Sequence, residues 1–171
     1  MRRSLLLALA AAVVAILVVA VAAGASPATR PFKGSMSGTV TFVVDTSCPA
    51  LYLGGPTLRA DSAATGTASH LGKISMSSAH CAGVTFAGHM TFVAANGDKL
   101  FVDYESVGPP VMPPDELGVV YDVLSEFVIT GGTGRFQNAV GGGLMPAHIV
   151  NMGLGVPVWP TTWDWQGTIG Y

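Results

Sequence analysis

The stretch FVITGGTGRFQNAVGG, Phe127 to Gly142, begins as an apolar run that enters a glycine-rich turn, the outline of a nucleotide-binding unit. A dinucleotide fingerprint needs G-x-G-x-x-G at the start of a helix, the third glycine letting helix and strand pack closely. Gly132 and Gly134 take the first two places, but Gln137 stands in the third. A crossover helix must also follow. After Phe136 the chain has Gly141, Gly142, Gly143, Pro146, Gly153, Gly155, Pro157 and Pro160, and glycine and proline are the poorest helix formers. A phosphate cradle is therefore disfavoured, and the stretch reads as a strand that ends in a turn.

Working outward from it, the same texture recurs. GVVYDVLSEFVIT, Gly118 to Thr130, has apolar side chains at Val119, Tyr121, Val123, Phe127 and Ile129, with Asp122 and Glu126 between them. That period of two is the mark of a strand with one buried face. GTVTFVV, Gly38 to Val44, alternates Val40 and Phe42 with threonines, and TTWDWQGTIGY, Thr161 to Tyr171, alternates to its end. Gly83 to Ser106 holds two such runs divided by Asn96-Gly97-Asp98, for which a tight type I′ hairpin is the expectation. SVGPPVMPPDEL, Ser106 to Leu117, and LMPAHIVNMGLGVPVWP, Leu144 to Pro160, read as rim loops, the first semi-rigid. A chain of short strands and many glycines, with no amphipathic helix, is all-β and is read as an antiparallel barrel or sandwich.

Composition narrows the setting. The 171 residues fit one domain, and the 11% charged fraction is far below the usual share of about 25%. MRRSLLLALAAAVVAILVVAVAAGAS carries Arg2 and Arg3, nineteen uncharged residues from Leu5 to Ala23, and a small-x-small site ending at Ala25. It reads as a signal peptide over 1–25 cut before Ser26, with an uncleaved anchor as the alternative. Residues 26–171 are then a single extracellular domain. Setting aside Arg2 and Arg3, six Lys and Arg face ten Asp and Glu, so nucleic acid is not an expected partner. Cys48 and Cys81, an even count in an oxidising compartment, suggest a disulfide, with two buried thiols as the alternative. No C-x-x-C or H-x-H spacing marks a metal site, and His80 beside Cys81 would point to the opposite strand face. No cofactor is expected.

Three stretches carry a resemblance. ATGTASHLGKISMSSAH (64–80), FVAANGDKLFVDY (92–104) and EFVITGGTGRFQNAVGGG (126–143) together resemble small secreted bacterial proteins of the allene oxide cyclase-like and dirigent-like barrel group. The likeness covers most of Phe32 to Tyr171. It implies a calycin-like, eight-stranded antiparallel barrel with an apolar lumen, often a trimer, in which GGTGRF joins neighbouring strands and Phe136 re-enters the core. No catalytic residue of either branch maps onto a numbered position of this chain.

The residues themselves rank the candidates. Asp122 and Glu126 lie about 13 Å apart along one strand face, too far to act as a glycosidase pair. On a solvated outer wall they are bland; inside a lumen they would be carboxylates of raised pKa. His70, expected at a strand kink, is a third acid–base candidate. Tyr104 and Tyr121 could orient a ligand. No G-x-S-x-G elbow occurs, since Met36 takes the nucleophile's place in Gly34–Gly38. The expectation that follows is a barrel that binds an apolar small molecule against Val119, Tyr121, Val123, Phe127 and Ile129. A confinement-type isomerase or cyclase and a structural, oligomerising barrel are the alternatives.

Overall fold

The computed structural model describes residues 28–51, 53–108, 117–153 and 155–171. The leader, its expected cleavage site and positions 109–116 of the proline-rich arm lie outside the described residues. Eight strands follow one another: β1 Arg30–Val44, β2 Leu58–Ala68, β3 Gly72–Cys81, β4 Ala87–Ala94, β5 Lys99–Ser106, β6 Val120–Gly132, β7 Val140–Val150 and β8 Val158–Gly170. Each pairs antiparallel with its chain neighbours, and β8 returns to β1 with Phe32 opposite Gly167 and Met36 opposite Trp163. The result is a closed barrel, in which no sheet edge is left to pair with another chain.

The period of two decides which face is inside. Along β6, Tyr121, Val123, Ser125, Phe127 and Ile129 are buried while Val120, Asp122, Leu124, Glu126 and Val128 are exposed. The two ends of the barrel differ. One is sealed by short turns at 69–71, 95–98 and 133–139 and by Phe136, Leu100 and Ile169, all of them fully buried. Behind this plug Trp165 stacks on Phe32 at 6.2 Å and meets Phe92 edge-on at 4.6 Å, and Phe127 meets Phe32 at 6.1 Å. The Trp165 indole N–H is buried with no hydrogen-bond partner among the described residues. It lies over Gly34, where any Cβ would come within 2.1 Å of it.

The GGTGRF stretch is a turn. Gly131 and Gly134 have φ of 129° and 56°, values that side chains resist, and a 3-10 turn over Gly134–Phe136 sends the Phe136 ring into the core. Two local expectations are corrected. The Asn96-Gly97 hairpin is not type I′: only Gly97 is left-handed, and its N–H bonds to Ala94 O at 2.9 Å, a type I turn followed by a glycine bulge. Leu144 to Pro160 is not one long loop, because β7 runs to Val150 and β8 starts at Val158. The glycines at the start of β7 and in β8 allow close strand contact. A Cβ on Gly143 would lie 2.2 Å from Gln166 O, and one on Gly167 would lie 2.1 Å from Gly142 O. Pro146 has no N–H to give, and the ladder to β8 skips Met145 and Pro146.

Candidate functional site

At the other end of the barrel the inward side chains change character. Ser62, Ser125 and Thr161 are buried there, and the inward positions of β3 and β5 bring His80 and Tyr104 together. His80 Nδ1 lies 2.7 Å from the Tyr104 hydroxyl. Both sit on the even, inward parity of their strands, β3 continuing Ile74 and Met76 and β5 continuing Leu100 and Val102. Gly88, on the intervening strand β4, makes the meeting physically feasible. A Cβ on Gly88 would come within 2.7 Å of the Tyr104 hydroxyl, so only glycine lets the phenol lie across β4 to reach the imidazole.

The pair is enclosed by rings and anchored by covalent and ionic ties. Phe86 stacks on His80 at 4.3 Å and 19°, and the loop carrying Phe86 is held to β5 by its N–H bonding to Ser106 Oγ at 3.0 Å. Cys81, next to His80, is bonded to Cys48 across a separation of 33 residues, with 5.3 Å between the Cα atoms. On the flanking β2, Arg59 bonds both carboxylate oxygens of Asp61 at 2.7 and 2.9 Å and reaches Asp45 at 2.9 Å. Hydrogen bonds from Ser47 hold the Asp45 carboxyl below its ordinary range, and the guanidinium of Arg59 does the same for Asp61. Together these ties hold Asp45 and Cys48 of the β1–β2 loop to β2 and β3 at this end of the barrel.

Electrostatics keep the pair neutral. Burial lowers the His80 pKa from 6.5 to about 4, although the nearby Asp61 charge opposes the shift. Burial raises the Tyr104 pKa, with the Ser78 hydroxyl working in the opposite direction. At neutral pH the two groups therefore exchange a hydrogen bond, not a proton. The lowered value has a consequence for stability. Below pH 6.5 the unfolded chain takes up a proton at this residue that the native barrel refuses until about pH 4. Stability contributed by neutral His80 is thus complete above pH 6.5 and declines as pH falls towards 4, by about 2 kcal/mol for a group that keeps some solvent contact. Urea unfolding at stepped pH checks this: His80→Gln should flatten the loss between pH 6.5 and 4, and an identical loss in both proteins would contradict it.

The sequence candidates are distributed as follows. Tyr121, Val123, Phe127 and Ile129 line the lumen, and Val119 is half-buried just ahead of β6. Tyr121 stacks on Trp159 at 5.9 Å towards the mouth, whereas Phe127 and Ile129 belong to the packed core cluster. The set spans the length of the barrel, so one small ligand cannot touch all five. Asp122 and Glu126 are exposed on the outer wall, where Asp122 pairs with His148 at 2.5 Å, so the lumen-carboxylate alternative is corrected. The reason is the apolar odd face of β6, which claims the inside. His70 stands in the β2–β3 turn, not at a kink within a strand, with φ 68° and Nε2 3.0 Å from Pro31 O, at the sealed end. Sequence reading weighed His80 only as a metal ligand and not as a lumen group; its shared parity with Ile74 and Met76 was the signal available.

Two further surfaces bear on the reading. A groove of about 920 Å³ crosses the outer wall between Lys33, Leu124, Leu144 and Gln166, but it is open to solvent and remote from His80 and Tyr104. Exposed apolar side chains from all four mouth-end connections, among them Val44, Leu53, Val84, Leu117 and Val156, surround the mouth instead.

No family model and no curated protein matches the chain. Among solved structures it is similar to a pterocarpan synthase dirigent protein, at 15% identity and a TM-score of 0.46, with 86% of this chain and 88% of that chain covered. The strand pairing of the chain itself establishes the closed antiparallel barrel of eight strands, which is the fold implied by the resemblance to the dirigent-like group.

Proposed function

We propose that the protein is a secreted barrel whose mouth half holds an apolar small molecule carrying one polar group, and that His80 and Tyr104 are the partners of that group. The observation that carries this is the 2.7 Å contact between two neutral, polar side chains, the buried Tyr104 and the half-buried His80, on an inward wall that is otherwise mostly apolar. A pocket of this kind is commonly apolar with a few placed polar groups that fix orientation. Filling the site with apolar side chains would be the simpler route to stability, since buried polar groups are costly unless satisfied.

Binding is favoured over acid–base turnover. A general base works best with a pKa near the operating pH, and an imidazole of pKa about 4 is too weak a base at neutrality. A confinement-type isomerase remains the alternative within the same site, because confinement needs no proton transfer. The disulfide accords with action outside the cytoplasm. A stripe of exposed Leu124, Val128, Val140 and Leu144 on β6 and β7 also favours assembly into a homo-oligomer, which the mass of the protein in solution decides.

The test pairs two fluorescent probes, an anthracene-labelled fatty acid with a free carboxyl and its headless hydrocarbon counterpart. Tyr104→Phe should weaken the first about five- to ten-fold, the worth of one hydrogen bond, and leave the second unchanged. Equal loss for both would refute the polar handle. Failure of the parent protein to bind either probe would leave the barrel as a structural module.

A further inference from the structure

Charge is distributed along the barrel axis. Arg30, Lys33, Lys73, Lys99 and Arg135, five of the six cationic side chains after the leader, are exposed at the sealed end. They come from the starts of β1, β3 and β5 and from the β6–β7 turn, so they ring the rim and do not share one strand. Asp98 is the one acidic side chain among them, 3.7 Å from Arg135. Five cations less one anion leave +4 at this end. The other described residues hold one cation, Arg59, against seven carboxylates, a balance of −6. Lys33, Lys73 and Lys99 form no ion pair among the described residues. Arg30, at the start of β1, is also at this end.

Cations spread around a rim do not converge on a single small anion. They match a plane of anionic groups, and the acidic remainder of the barrel is carried away from such a plane. We propose that the sealed end docks on an anionic bilayer surface, which leaves the mouth facing away from the membrane. Attraction to such a surface decays within a Debye length, about 10 Å at moderate salt, so the residues of this rim dominate it. Each lysine or arginine held near the surface strengthens binding by about five-fold.

The experiment uses the chain from Ser26, which contains the whole closed barrel, in co-sedimentation with phosphatidylcholine vesicles with and without phosphatidylglycerol. Binding should require phosphatidylglycerol and disappear at high salt. Lys73→Ala with Lys99→Ala should weaken it about thirty-fold. Ser77→Glu with Thr162→Glu, which alters net charge equally but on the outer wall, should change it less than about three-fold. The proposal is overturned if the two double variants weaken binding alike, or if no anionic vesicle sediments the protein. It is also overturned if neutral vesicles bind equally well, since the apolar mouth rim would then be the contact.

Discussion

Phe127→Ala is expected to cost about 3 to 5 kcal/mol, the range for deleting a buried phenyl ring. The side chain is 4% exposed and meets Phe32 edge-on, and its strand partners are Tyr104 on β5 and Gly143 on β7. Gly143 contributes no side chain, so nothing on that flank can move in to fill the space. Part of the penalty is the lost transfer free energy of the ring and part is the cavity it leaves. Because Phe127 stands beside Tyr104, the new space is continuous with the proposed site. Urea unfolding should therefore show the lower stability, while probe selectivity in the still-folded variant shifts towards bulkier molecules. A loss below about 1 kcal/mol would show that the position is not packed core.

Removing the disulfide is expected to be nearly as costly. Cross-linking across 33 residues restricts the unfolded chain by about 3 to 4 kcal/mol in the chain-entropy description. Cys48→Ala with Cys81→Ala should lower the free energy of urea unfolding by that amount, and the untreated parent should give no reaction with a thiol reagent before denaturation. The bond has a second role here. It ties the β1–β2 loop to the residue after His80, so the double variant should also weaken probe binding. Retained binding at full affinity would separate the staple from the site.

What could be read from the chain, and what could not, follows from the range of the interactions. The inward face of β6 is legible from Val119 to Ile129, because alternation is a property of one strand and the larger apolar face takes the inside. The GGTGRF turn is legible for the same reason: a positive φ and a returning ring are local demands. β7 is not. Gly141 to Gly143 resemble loop residues, and their role, close approach of Gly141 and Gly143 to β8 and of Gly142 to β6, exists only once those strands lie alongside. The His80–Tyr104 contact is further from reach, since it joins residues 24 apart across a third strand and depends on Gly88 having no side chain. Asp122 and Glu126 drew attention as acids, but the same alternation along β6 already places them on the solvated face.

The most direct measurement of the central claim is an NMR titration that follows all four histidine rings while the carboxyl-bearing probe is added. His80 faces the lumen, His70 lies in a turn at the sealed end, and His89 and His148 are exposed on the outer wall, paired with Asp103 and Asp122 at 2.6 and 2.5 Å. The three outer rings are internal controls. Binding in the mouth half should move the His80 ring signals in step with probe saturation and leave the other three in place. Saturable binding that moves His89, His148 or His70 while His80 stays unperturbed would contradict the lumen site.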